Sequence, residues 1–326
     1  MATLYPEIEP FDQGMLDVGD GNQLYWEVSG NPQGKPALIL HGGPGSGSSP
    51  SSRRFFDPAA YRVVVLDQRG CGNSTPNAAE PKTDLMVNTT AHLVRDIERL
   101  RQHLGIARWL ICGGSWGTTL GLAYAEQNPS RVTEMVLFGV TTTRRSEIDW
   151  LYHGLQASLP EQWARFRDGV PADQRDGDLV EAYYHLPTDP DPAVRAKAAL
   201  DWHEWEAASI SADPNAKPPP KWSDPQYRLT RARIVTHYFH HYGWLEDEIL
   251  LQNAHLLAGI PGVLVQGLMD LEAPPTTALE LAERWPDAQL IIIDDAGHSA
   301  GDRGMTEAIL AATDRFARAT GSSGRG

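Results

Sequence analysis

Cysteine is nearly missing from this chain: two in 326 residues, with no Cys-x-x-Cys pair, leave nothing from which to build a disulfide framework or a zinc ribbon. Basic residues are scarce as well. Against 42 Asp and Glu stand 28 Lys and Arg, a formal net charge of −14, and no Lys/Arg-rich run occurs. Nucleic acid is therefore not an expected partner, and cationic substrates are the ones such a field attracts. No stretch of 18 or more apolar residues is present, and no basic segment followed by an apolar core opens the chain. Neither a membrane partner nor secretion is expected, and the expected compartment is the cytoplasm. G-x-G-x-x-G and Gly-Lys-Ser/Thr patterns are absent too, so the Gly-rich loops are not read as phosphate cradles.

What is present is an alternation of short apolar runs with helical patterns. Residues 37–40, 62–66, 109–112, 132–138, 263–265 and 290–293 read as strands. Residues 88–104 carry apolar positions at helical spacing and stop before Gly105, and 277–284 and 305–319 are further helical patterns. The expected fold class is α/β, a doubly wound, mostly parallel sheet. Residues 142–250 break the rhythm: they are rich in Trp, Tyr and helix formers, and hold the stiff Pro218-Pro219-Pro220 segment. They are expected to form a helical cap inserted into a catalytic domain made of 1–141 and 251–320, with 321–326 a disordered tail. Ligand sites in open α/β sheets lie at the carboxyl ends of strands, so such a cap roofs the site.

Gly113-Gly114-Ser115-Trp116-Gly117 follows the 109–112 run and precedes a helical stretch, the strand–turn–helix setting of a nucleophile elbow. A second match, Gly297-His298-Ser299-Ala300-Gly301, has no His downstream, whereas Ser115 is followed by Asp270 and His298, in the chain order that this elbow requires. Ser115 is the candidate nucleophile, His298 the base that takes its proton, and Asp270 the carboxylate that orients the imidazole, with Glu272 as its rival. Oxyanion donors are expected from the N–H of Trp116 and from the loop His41-Gly42-Gly43-Pro44-Gly45, with Gly43 as donor. Cys112 reads as a small buried apolar residue and Cys71 as a thiol close to the site. His237, His240 and His241, at helical spacing, have no carboxylate or Cys to complete a metal site and are expected to pack in the cap or wall the substrate. No metal or cofactor is expected.

Three blocks in combination, His41 to Gly45, Asp67-Gln68-Arg69-Gly70-Cys71-Gly72-Asn73-Ser74 and Gly113 to Gly117, resemble the proline iminopeptidases, or prolyl aminopeptidases, of the α/β-hydrolase fold. Ala296-Gly297-His298-Ser299 and Trp202-His203-Glu204-Trp205-Glu206 match the same family. The resemblance implies a cofactor-free serine peptidase that releases an N-terminal proline from short peptides, with Glu206 and the carbonyl of Gly42 binding the substrate's α-amine. One departure stands out. The family's Arg-Ile-Glu-x-His-Tyr-Phe segment reads Arg233-Ile234-Val235-Thr236-His237-Tyr238-Phe239 here, and Val235 cannot pair a cation. Either Glu204 replaces the missing carboxylate, or specificity moves toward small amino-acid amides or esters. Oligomeric state is not legible.

Overall fold

Period-two packing on both faces decides the architecture. In β3 (Lys35–Leu40), Ala37 and Ile39 join one apolar cluster while Leu38 and Leu40 join another, and Val63 and Val65 part in the same way from Val64 and Leu66 in β4 (Tyr61–Leu66). Strands buried on both faces read as continuous apolar runs, which is why these were legible. The computed structural model describes residues 3–210 and 220–319. The expected tail at 321–326 and part of the Pro218-Pro219-Pro220 segment lie outside the described residues.

Eight strands form one sheet in the order β1-β2-β4-β3-β5-β6-β7-β8. Strands β5 (Trp109–Ser115), β6 (Val132–Val140), β7 (Gly262–Gly267) and β8 (Ala288–Ile293) continue the parallel set from β3 and β4. The strands β1 (Pro10–Gly19) and β2 (Asn22–Gly30), absent from the sequence expectation, add an antiparallel edge. Edge strand β1 is largely exposed and has no apolar run to announce it. Its signal lies in the turn, because Asp20-Gly21 links the paired residues Gly19 and Asn22 with positive φ at both positions, the two-residue turn that matches strand twist.

Helices α1 (Thr90–His103) and α2 (Trp116–Gln127) cover one face. Between β6 and β7 run α3 (Arg145–Tyr152), α4 (Pro160–Asp168), α5 (Leu179–His185), α6 (Pro192–Ile210), α7 (Pro225–His240) and α8 (Ile249–Asn253). Among its described residues this insertion contains no strand. Helix α9 (Pro275–Arg284) joins the face of α1 and α2, and α10 (Met305–Ala319) packs on the other. No helix among the described residues is long and apolar enough to cross a membrane.

The insertion has its own aromatic core. Phe166 stacks on Tyr183 at 4.5 Å and on Trp205 at 5.4 Å, and Tyr152 lies 4.7 Å from Trp202. Each ring buries a large apolar area and adds a geometric preference that fixes α3, α4, α5 and α6 against one another. Helix α7 carries this unit down to the sheet: Tyr238 donates its hydroxyl to Asn88 Oδ1 at 2.8 Å and meets Trp116 edge-on at 4.8 Å. The cap helix thus rests on the first residue of α2.

Candidate active site

Ser115 ends β5 with φ 55° and ψ −128°, a conformation that costs a residue with a side chain and persists only where its surroundings impose it. Two glycines impose it. Any side chain on Gly117 would run into the carbonyl of Leu40, and any on Gly114 into the ring of Phe138, so β3 and β6 close in on the turn and Ser115 is left at the strand end. In the sheet order β5 is flanked by β3 and β6, and the loops after β7 and β8 reach the same place.

Those loops carry Asp270 and His298. The imidazole Nδ1 lies 2.8 Å from Asp270 Oδ2. Asp270 Oδ1 accepts from the backbone N–H groups of Glu272 and Ala273 at 3.0 and 2.8 Å, and Oδ2 from Gln266 Nε2 at 3.1 Å. Its orientation is therefore set by its own turn. Burial opposes a charge on His298, but Asp270 and then Glu272 outweigh it and push the imidazole up to about 9.

The oxyanion candidates lie beside Ser115. Gly43 (φ 116°) and Trp116 line a cavity together with Ser115 and His298. Gln68, from the second motif block, braces both: its N–H donates to His41 Nε2 at 3.0 Å, its amide nitrogen donates to the carbonyl of His41 at 2.9 Å, and its Oε1 accepts from Trp116 Nε1 at 2.9 Å. Because a backbone N–H can only donate, His41 Nε2 is the acceptor and Nδ1–H points to the carbonyl of Gly42 at 3.0 Å. Burial holds His41 below its usual range, which agrees with this neutral tautomer. The motif's Asp67 accepts from the N–H groups of Ser48 and Asn73 at 2.6 and 2.8 Å, and Arg69 forks onto buried Asp96 of α1 at 2.6 and 2.9 Å. These residues hold the loop rather than meet a substrate. Cys71 is buried against the carbonyl of Gln68 at 3.2 Å with its thiol pushed up by burial. His237 is packed at 4.6 Å from Trp244 and held at about 4 by burial. No group of three or more metal-ligating side chains is found among the described residues.

Two cavities meet at Ser115 and His298. The one under the cap, about 560 Å³ with its open mouth included, is walled by Leu151, Tyr152, Trp205 and Phe239 and holds Glu206, Arg231 and Glu272. The wider one, about 850 Å³ on the same measure, runs past His41, Gly42, Ser46 and Trp222.

Of the predicted amine-binding residues, only Glu206 faces the cap-side cavity, and its Oε2 is in direct contact with Arg231 Nη1. Glu204 is exposed, which corrects the expectation that it replaces the missing carboxylate: two residues apart on a helix lie on opposite sides, so α6 cannot turn both toward the pocket. Gly42 borders the wider cavity, and its carbonyl already accepts from His41 and, at 3.2 Å, from the Ser46 N–H. Val235 is buried in the apolar core and lines neither cavity. The carboxylate that the amine-site expectation passed over is Glu272. Its Oε1 accepts from Ser209 Oγ at 2.9 Å, and its Oε2 lies 3.3 Å from His298 Nε2, close but not aligned as a hydrogen bond. Burial pushes the Glu272 carboxyl up, with His298 opposing. The sequence signal was its place in the turn of Asp270, two residues beyond it.

A family model described as alpha/beta hydrolase fold matches residues 35–304. A probable proline iminopeptidase of Streptomyces coelicolor is 55% identical over 97% of this chain and 98% of its own length. The proline iminopeptidase of Arabidopsis thaliana is 44% identical over 96% of this chain and 82% of its own, and that of Xanthomonas citri 45% identical over 97% and 100%. Among solved structures, a proline iminopeptidase of Mycobacterium smegmatis superposes with a TM-score of 0.63 at 22% identity, covering 94% of this chain and 98% of that one.

Proposed function

The chain belongs to the proline iminopeptidase family of α/β-hydrolase-fold enzymes, and from that premise we propose that it cleaves an N-terminal proline from short peptides through an acyl-enzyme on Ser115. His298 takes the hydroxyl proton as Ser115 Oγ attacks the carbonyl of the N-terminal residue, and Asp270 holds the imidazole and stabilises its cation. N–H groups of Gly43 and Trp116 receive the developing oxyanion. His298 then protonates the leaving amine, and a water activated by the same imidazole releases proline.

The observation that carries this is the strained elbow of Ser115 opening onto the same cavity as an Asp270-bound His298, with carboxylates at the cavity wall. A pyrrolidine ring suits the aromatic side of that cavity, and a secondary ammonium suits its acidic side. The wider cavity would take the leaving peptide. Release of proline from L-prolyl-p-nitroanilide, with N-acetylation abolishing it, is the expected result; equal rates on the free and acetylated compounds would refute recognition of the amine. The pairing of Glu206 with Arg231 favours a second reading, a hydrolase of small amino-acid amides or esters. Faster turnover of prolinamide or simple esters than of Pro-Xaa dipeptides would select it.

A further inference from the structure

Charge in the cap-side cavity does not balance. Glu147 is consumed by its own loop and by α9, accepting from Thr141 Oγ1, the Thr142 N–H and Thr277 Oγ1 at 2.8, 2.9 and 2.5 Å. Asp270 and His298 satisfy each other. Glu206 and Glu272 remain against the single guanidinium of Arg231, which contacts Glu206. One carboxylate, Glu272, is left over to receive one cation.

Position picks the same residue. In an N-terminal residue the amine nitrogen lies only about 2.5 Å from the carbonyl carbon, across one Cα, so a carboxylate bonded to that amine must sit within roughly 5–6 Å of the reacting centre. Glu272 Oε2 lies 3.3 Å from the imidazole nitrogen that must serve Ser115 and lines the same cavity as Ser115, on the side this short reach requires, and Ser209 fixes the other oxygen. The same contact has a cost. While Glu272 stands beside Nε2, an imidazolium is favoured there and the nitrogen is not available as a base.

We infer, building on the proposed prolyl peptidase activity, that Glu272 is the specificity-determining carboxylate of this chain and that it couples amine recognition to activation of His298. In the resting enzyme it pairs with the Nε2 side of the ring. The ammonium of the substrate takes His298's place against Glu272, and the Nε2 proton leaves to solvent water, so one cation is exchanged for another and the charge of the pocket is unchanged. His298 then faces Ser115 as a neutral base. A substrate without the cation has no means to displace Glu272, which disfavours acylated N-termini. The groups bearing on this exchange are Asp270 beside Glu272, Asp302 on the loop of His298, and Arg231 from α7.

Glu272→Gln in the full chain separates the roles, because it keeps the shape and the bond to Ser209 but removes the charge. On L-prolyl-p-nitroanilide kcat/KM should fall on the order of 30-fold or more, as for loss of one partner of a buried charge pair. On p-nitrophenyl acetate, a neutral ester without an amine, turnover at neutral pH should rise and the acidic limb of the pH profile should move to lower pH. Parallel losses on both substrates, or an unmoved ester profile, would overturn the assignment. Should Glu272→Gln fail to fold, Ser209→Ala, which frees Oε1, must show the same split in smaller degree. No prolyl turnover by the unaltered protein would defeat the proposed activity itself, and the ester profile would still report whether Glu272 restrains His298.

Discussion

Asp270 receives hydrogen bonds from backbone N–H groups two and three residues along its own turn, whereas Glu206 meets its partner Arg231 only where two helices of the insertion come together. The same contrast runs through both regions. At the carboxyl ends of the strands, Ser115 is held by glycines, His41 by a backbone N–H and Asp67 by two more, so the candidate nucleophile and the loops around it are set by the main chain. Under the cap, Glu206, Arg231 and Glu272 are aimed by side chains on α6, α7 and the loop after β7. On the proposed function, chemistry would sit on groups set by the main chain and selectivity on groups set by side-chain packing.

The sharpest way to break the comparison is at the elbow. Ser115→Ala should lower kcat for prolyl anilide by about 10⁴-fold or more while leaving the melting temperature nearly unchanged. Ser115→Gly should be equally inactive and melt higher, since relief of its positive φ is worth about 1 kcal/mol. A stable, folded, inactive pair of this kind is expected only on the sheet side.

Removing a partner in the cap should do the reverse and act on folding as well as on turnover. Arg231→Ala leaves Glu206 buried and unpaired, and a loss of about 3–5 kcal/mol of stability is expected in urea titration. The double variant with Glu206→Ala should recover part of that loss, because the stranded charge is gone; strict additivity would show that the two side chains are not coupled.

The smallest effect concerns a buried carboxylate that serves no site. Glu126, near the end of α2, has an Oε1 without a hydrogen-bond partner among the described residues, and burial pushes its carboxyl up to about 9. Its folded form therefore binds a proton that the unfolded chain releases, so stability falls as pH rises from about 4.5 toward about 9. Glu126→Gln should flatten that dependence and add on the order of 2 kcal/mol near pH 8, read by thermal melts across pH. Activity should not change, which would distinguish a merely buried acid from Glu272.

Strands β3 to β7 were legible because both of their faces are buried and their apolar runs are continuous, and β8 because residues 290–293 are all apolar, while β1 was not, being an exposed edge marked only by Asp20-Gly21. Ser115 stood out because its turn has a strict backbone requirement that is written in the neighbouring glycines, and Asp270 and His298 because they follow it in the chain order that the elbow requires. Glu204 was misplaced, and Glu272 weighed only as a rival to Asp270, for one physical reason. A run of residues does not state which side of a helix meets the substrate, nor which loop closes on it.

By itself, then, the sequence determined the six parallel strands and the elbow at Ser115, both of which follow from local backbone geometry and periodicity. Only the tertiary structure decided which carboxylates share the cavity, that Arg231 neutralises Glu206, and that Glu272 stands against His298. Charge pairing depends on distance in space, and residues brought together from α6, α7 and two strand ends have no fixed spacing along the chain.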